Sequence, residues 1–293
     1  MPTAFVATAG SGQPVIGILA EFDALPGITQ DDSPDRHPLA LKEAGHACGH
    51  HLFGTGSVAA AIAVKEWLAR SGGSGTIRLY GTPAEEGGAG KVYMVRGGLF
   101  KDVDGVLHWH AADRNDASPG SSLANKSAKF RFHGVSAHAA AAPERGRSAL
   151  DGVEAMDYMV NLMREHVPED TRIHYVITNG GSAPNVIPDF AEVYYYVRHP
   201  DPTQVAAIFD RVVKASEGAA MGTGTGVEHE VIHGIYAMLP NEALGQVMDR
   251  NLRQVGGVRY TAEETAFAQR LRASLPPDSP PLESAAEVAP YGI

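Results

Sequence analysis

Between residues 15 and 109 the chain repeats one pattern, and that pattern restricts the fold more than any other feature. Short, apolar, β-rich runs at 15–19, 76–80 and 105–109 alternate with helical segments at 54–70 (GTGSVAAAIAVKEWLAR) and 88–96. Runs of this kind suit strands buried on both faces. A strand–helix–strand–helix–strand order predicts a mostly parallel sheet with helices on its faces, because a parallel connection needs a crossover long enough to hold a helix. In such sheets the loops at the carboxyl ends of the strands carry function. Asp23, Glu85, Glu86 and His110 all fall at those ends.

The pattern then changes. Residues 127–133 (SAKFRFH) alternate and read as a half-solvated strand; 148–165 read as a helix, 172–177 and 190–198 as strands, 202–215 as a helix and 226–235 as a last strand. That order is the one of a small ferredoxin-like α+β domain. The expected fold class is therefore α/β: a mostly parallel sheet over residues 1–117, an inserted ferredoxin-like domain over 118–238, and an incomplete return to the first domain over 239–293. Residues 241–275 read as helical, and 276–281 are a proline-rich break.

Composition removes some functions. The 293 residues carry a formal charge of −10 and no Lys/Arg block, so no nucleic-acid face and no affinity for anionic membranes are expected. The single cysteine, Cys48, excludes an internal disulfide and fits a reducing compartment. The first residues, PTAFVATAGSG after Met1, have neither the basic nor the apolar stretch of a signal peptide. The apolar run at 54–67 carries Lys65 and Glu66 and reads as too short for a bilayer. The expectation is a soluble cytoplasmic protein.

Three clusters carry chemistry. Gly45-His46-Ala47-Cys48-Gly49-His50-His51 places a thiol and imidazoles where two glycines permit a turn, and both donor types suit borderline-soft divalent metals. The alternative is a polar loop with incidental histidines. In Pro83-Ala84-Glu85-Glu86-Gly87-Gly88, one carboxylate can bind a metal while its neighbour acts as general base. The alternative is a solvated acidic pair at a helix N-terminus. In Leu107-His108-Trp109-His110, alternate strand residues share a face, so His108 and His110 are expected to point the same way, with His110 the better ligand and His108 in the core or behind the ligands.

The clusters occur in order, each at a strand end or loop, and longer stretches around them share their pattern with a known family. The chain resembles the metal-dependent aminoacylase/carboxypeptidase family, in its amidohydrolase branch with hippurate hydrolase and the auxin-conjugate hydrolases, and most of all its aminobenzoyl-glutamate-hydrolysing members. The stretches that carry the resemblance are PTAFVATAGSGQPVIGILAEFDALPG, HACGHHLFGTGSVAAAIAVKEWL, GTPAEEGGAGKVYMVRGGLF, GVSAHAAAAPERGRSALDGVEAM and RIHYVITNGGSAPNVIPDFAEVYYYVR. It runs from residue 1 to about residue 273.

The resemblance implies hydrolysis of the amide bond of an N-acyl or N-aroyl amino acid, with aminobenzoyl-glutamate as the leading substrate. It implies two divalent ions, zinc or manganese, with Cys48, His50, Glu86 and His110 among the ligands, and metal-activated water with Glu85 as general base. His138 in the inserted domain resembles a histidine that reaches another subunit's active site to stabilise an oxyanion, Asn185 one that contacts substrate, and Arg198 one that receives its carboxylate. A homodimer through the inserted domain follows from that role of His138. Asp23 matches a family signature with a supporting role; an Asx-type turn before Pro26 is the alternative. His51 stands where relatives often carry Asp or Asn. The chain also reads as truncated at both ends: family members have a leading helical segment and a further histidine ligand near the C-terminus, and His233 is the last histidine here. A truncated, catalytically incompetent family member, serving only to dimerise or to pair with another chain, is therefore the second expectation. A zinc-stabilised binding domain is a third, weakened because a structural zinc site wants four protein ligands and no spare base.

Overall fold

β2 (Val15–Glu21) is the centre from which the first sheet is built. In the computed structural model, which describes residues 2–39 and 43–292, β2 pairs in parallel with β3 (Gly75–Thr82) on one side and β4 (Gly105–Leu107) on the other. β1 (Phe5–Ser11) adds an antiparallel edge, so the strand order is β1-β3-β2-β4. Ile18, Ala20, Ile77 and Leu79 from the two central strands form the core with Leu68 of α1 (His50–Ser71). The short helix α2 (Gly90–Arg96) connects β3 to β4.

Three features differ from the sequence reading. β1 has no counterpart there, because an exposed edge strand lacks the apolar run that marks buried ones. α1 begins at His50, four residues before the expected start, so two of the cluster histidines lie in its first turn. Its 22 residues are long and apolar enough, by length and composition, to cross a bilayer, which corrects the reading as too short. The helix carries Lys65, Glu66 and Arg70 and lays His50, Phe53, Ser57 and Leu68 into the protein, while most of its residues are not buried. β4 stops at Leu107, short of His108 and His110.

Residues 120–240 form a separate compact unit. Its elements are β5 (Ala124–His133), α3 (Ala149–Met163), β6 (Arg172–Asn179), β7 (Phe190–His199), α4 (Pro202–Thr223) and β8 (Gly226–Ile235). The sheet order is β6-β7-β5-β8, antiparallel throughout, which is the ferredoxin-like arrangement. Both helices cover one face, where Phe130, Phe132, Val153, Met156, Val193, Tyr195, Val197 and Val212 are buried. Fully burying a side chain of this size contributes about 1.5–3 kcal/mol. Ser148 caps α3 and Asp201, followed by Pro202, caps α4. α4 continues past the expected end at 215 because Ala215, Ala219 and Ala220 are buried there, and this outweighs the poor helix propensity of Gly218 and Gly222. β5 is more buried than expected, since it lies between β7 and β8.

The other unit, Met1–Pro119 with Asn241–Ile293, also holds α5 (Glu242–Val255) and α6 (Ala262–Ala273). Thr261 and Glu264 form a capping box at the start of α6. Arg253 of α5 reaches the carbonyl of Ala289, and Asn115 pairs with Val288, so the segment after the proline-rich break is bonded back to this unit.

Candidate active site

The carboxyl ends of β2, β3 and β4 bring three loops to the start of α1. Gly49 precedes the helix with φ 84°, in the left-handed region, and a Cβ there would lie 2.9 Å from the Cβ of Ala111. Glycine is thus needed both for the turn and for the approach of the His110–Ala111 loop. After β3, Ala84 adopts φ 58°, a conformation that costs a non-glycine residue about 1 kcal/mol or more. It is held by the Gly88 N–H, which donates to the Ala84 carbonyl at 3.0 Å. That strained turn presents Glu85 and Glu86.

His50 is fully buried at the centre. Its Nδ1 lies 3.0 Å from the carbonyl of Asp23 and 3.3 Å from Asp23 Oδ1, so Nδ1 carries the hydrogen. Its Nε2, left with a lone pair, lies 3.1 Å from Glu21 Oε2 and 3.8 Å from Glu85 Oε2. Both Nε2 and Glu21 Oε2 are buried without a hydrogen-bond partner, as are Asp23 Oδ1 and Glu86 Oε1, the latter 3.9 Å from His50 Nδ1. Asp23 Oδ2 accepts the backbone N–H of Glu86 at 2.9 Å, joining the loops after β2 and β3. This is more than an isolated Asx turn requires.

The second grouping sits beside the first. Cys48 Sγ lies 3.4 Å from His110 Nε2, and His110 Nδ1 faces the carbonyl of Ala111 at 2.8 Å, which leaves Nε2 free of hydrogen. Cys48, His50 and His110 offer ligand atoms within 4.8 Å of one another, and so do Glu21, His50 and Glu85. His50 belongs to both sets; Glu86 belongs to neither and stands behind the Nδ1 side of His50.

Electrostatics fit a cation. Burial pushes the Glu21 carboxyl up, but His108 and the Lys91 ammonium overcome that and hold it at about 2. Burial raises the Glu85 carboxyl above the usual range, with Glu21 and Glu86 adding to it against Lys91. Burial and the neighbouring Glu86, with Glu85 and Glu21, push the Cys48 thiol up to about 11. A buried nitrogen lone pair facing a carboxylate oxygen is repulsive unless a proton or metal ion lies between them. The thiol, imidazole and carboxylate donors suit a divalent ion such as zinc or manganese, which would also draw the thiol proton off.

Sequence reasoning passed over Glu21 and Lys91. The signal available was the position of Glu21 at the end of a strand, two residues before Asp23. β4 ends at Leu107, so His108 and His110 lie past the strand, but both rings lie against Phe53 and reach the site: His108 Nε2 is 3.5 Å from Glu21 Oε1, behind the candidate ligands, and His110 Nε2 is 3.4 Å from Cys48 Sγ. His51 is exposed, and its ring lies 4.9 Å from that of His46. Both line a cleft of about 450 Å³ with Phe5, Phe22, Val58 and His50.

His138, Asn185 and Arg198 belong to the unit Gly120–Pro240. His138 and Asn185 are neighbours: His138 bridges Val186, and the N–H of Ala139 donates to the Asn185 carbonyl at 3.0 Å. His138 Nδ1 accepts the N–H groups of Ala140 and Ala141 at 3.2 and 3.1 Å, so the neutral ring presents Nε2–H outward. Arg198 lies with its guanidinium 5.0 Å from the centre of the Tyr196 ring.

Comparison with known proteins identifies the family of the chain. The Peptidase_M20 model, peptidase family M20/M25/M40, matches residues 17–272. One of the two kinds of chain named for the p-aminobenzoyl-glutamate hydrolase of Escherichia coli is 46% identical over 94% of this chain and 58% of its own length. The other kind is 31% identical over 89% of this chain and 62% of its own. The human Xaa-Arg dipeptidase is 32% identical over 85% of this chain and 54% of its own. The chain thus spans little more than half the length of these relatives. Among solved structures, a dinuclear metal-binding peptidase of the M20 family from Bacillus subtilis superposes with a TM-score of 0.56 at 21% identity, covering 86% of this chain and 67% of that one, and so shares the fold. With most of its length matched by the family model, this chain belongs to peptidase family M20/M25/M40.

Proposed function

We propose that this chain is a metal-dependent amidohydrolase that cleaves an N-acyl or N-aroyl amino acid, with aminobenzoyl-glutamate as the leading substrate. The observation that carries the reading is the buried, unshared pair His50 Nε2 and Glu21 Oε2 beside the Cys48–His110 pair. Two ions, zinc or manganese, would be held by Cys48, His50 and His110 with Glu21 and, as the resemblance implies, Glu86; the Bacillus subtilis structure is described as dinuclear. Such an ion polarises a carbonyl and makes water acidic near neutral pH. Glu85 takes the proton from the attacking water and returns it to the leaving nitrogen. Its raised proton affinity suits both transfers. Asp23 holds His50 and the Glu86 backbone in place. Between associated chains, His138 Nε2–H of one would donate to the carbonyl oxygen in the active site of another as negative charge builds; the resemblance gives Asn185 a contact to substrate and Arg198 its carboxylate.

The substrate assignment draws on the Escherichia coli relatives, whose names specify p-aminobenzoyl-glutamate. Association with another chain is part of the same proposal. The edge strand β6 exposes Tyr175, Val176 and Ile177. A second copy is one occupant, and an unlike chain is the other, since the Escherichia coli hydrolase has two kinds of chain. Light scattering of the purified protein, by itself and mixed with the less similar of the two Escherichia coli chains, separates the two.

The test is metal content together with hydrolysis of aminobenzoyl-glutamate by this chain and by Glu85→Ala. Bound metal and turnover that disappears in the variant are expected. Metal binding without turnover of any N-acyl amino acid in a panel would overturn the assignment.

A further inference from the structure

The open face of the second sheet is electrostatically complete at one end and incomplete at the other. Side chains on this face form rows across the strands. At one end Glu192 accepts from Lys129 at 3.0 Å and Arg131 at 2.7 Å, and Arg131 also reaches Glu230 at 2.7 Å. At the opposite end Arg172 of β6 stands directly across from Arg198 of β7, and Arg198 across from Asn125 of β5. Like charges in directly opposite positions, with Cβ atoms about 4.5–5.5 Å apart, destabilise a sheet. Among the described residues, no carboxylate lies within ion-pair distance of either arginine.

Both guanidinium groups are held without being neutralised. Arg172 Nη1 donates to the carbonyls of Glu169 and Thr171, each at 2.9 Å, which leaves Nε and Nη2 available. Arg198 lies over the Tyr196 ring. Next to them, Asn125 is 6% exposed and its Oδ1 has no donor, although its Nδ2 faces His233 Nε2 at 3.0 Å. Two fixed, adjacent forks with no internal anion form a receptor for two carboxylates.

We propose that Arg172 is a specificity residue: together with Arg198 it binds the two carboxylates of an acidic amino-acid moiety, Arg198 taking the α-carboxylate and Arg172 the side-chain carboxylate. The chain thereby selects N-acyl-glutamate or N-acyl-aspartate over neutral N-acyl amino acids. This rests on the hydrolase reading for the identity of the ligand, while the receptor itself rests on the sheet register. A neutral amino acid would leave Arg172 facing Arg198 unbalanced.

The experiment compares kcat/KM for N-benzoyl-glutamate and N-benzoyl-alanine in the wild-type chain, Arg172→Ala and Arg198→Ala. The glutamate-to-alanine ratio should fall roughly 10- to 100-fold in Arg172→Ala, through KM, and stay constant in Arg198→Ala, where both substrates weaken together. An unchanged ratio in Arg172→Ala would overturn the proposal. If the wild-type chain turns over neither substrate, the hydrolase reading has failed, and the receptor is tested separately by calorimetric titration with glutarate and with acetate. Glutarate binding that is weakened in Arg172→Ala and exceeds acetate binding would support the receptor; equal or undetectable binding of the two would overturn it.

Discussion

The Cys48 thiol lies 3.4 Å from Nε2 of His110, although 62 residues separate them in the chain. The distance follows from two local facts: Gly49 leaves room for the Ala111 Cβ to approach, and the Ala111 carbonyl takes the other ring nitrogen of His110. Zinc or manganese added at 100 times its Kd should therefore stabilise the chain by about 2.7 kcal/mol. Cys48→Ala and His110→Ala should each remove most of that gain. Because the thiol sits at about 11 and is protonated at neutral pH, binding as a thiolate should release a proton and tighten as pH rises. Calorimetry in buffers of different ionisation enthalpy reads the proton directly. A binding heat independent of the buffer would contradict this.

Glu85→Gln keeps the size of the side chain and removes the base. Turnover of aminobenzoyl-glutamate should drop by about 10²–10⁴ while metal content stays at the wild-type value. Since Glu85 must be ionised to accept a proton and its proton affinity is raised, activity should fall on the acid side at a higher pH than an ordinary glutamate would give. A variant that loses metal along with activity would show that Glu85 is a ligand instead.

Asp157 of α3 accepts the hydroxyl of Tyr195 from β7, and both are buried. Burial raises its carboxyl from the usual 3.8 to about 6, against the Tyr195 hydrogen bond. The folded state therefore holds the proton more tightly than the unfolded chain does. The associated stability, about 3 kcal/mol, is complete below the unfolded value near 4 and is lost as pH rises through 6. Asp157→Asn should become more stable than wild type as pH rises from 5 to 7, with the two melting curves converging near pH 4. Parallel pH profiles for the two proteins would rule out this origin.

Glu192 behaves in the opposite sense. Burial raises its carboxyl, but Thr178, Lys129 and Arg131 outweigh it and hold the group at about 2. Its contribution is present above the unfolded value near 4.5 and is lost as pH falls through 2. Glu192→Gln removes one partner of Lys129 and Arg131 on the open sheet face and should cost on the order of 1 kcal/mol at pH 7, with little cost near pH 2. Denaturant melts at the two pH values measure the difference.

Much of this protein was legible in the sequence because its signals are local. Apolar runs with glycine punctuation marked β2 and β3, alternation marked β5, and a row of β-forming residues marked β7, since burial on two faces and on one leaves different patterns. The cluster around Cys48 and His50 and the pair Glu85–Glu86 were visible as residue types suited to a metal site. β1 was invisible because an exposed edge strand needs no apolar pattern. The helix start at His50 depends on the left-handed Gly49, and the end of β4 at Leu107 depends on where β2 stops pairing with it.

What tertiary structure alone decided is which polar atoms meet. Glu21 became part of the site, with His108 beside it and His110 beside Cys48, because side chains at the ends of three parallel strands converge from distant points in the chain. The same holds for Arg172 and Arg198: the register of β6 against β7 sets them opposite each other, and no spacing along the chain encodes that. Sequence specifies the elements through local burial and backbone preference, and packing then sets their mutual register, which is where the distances that govern charge and coordination arise.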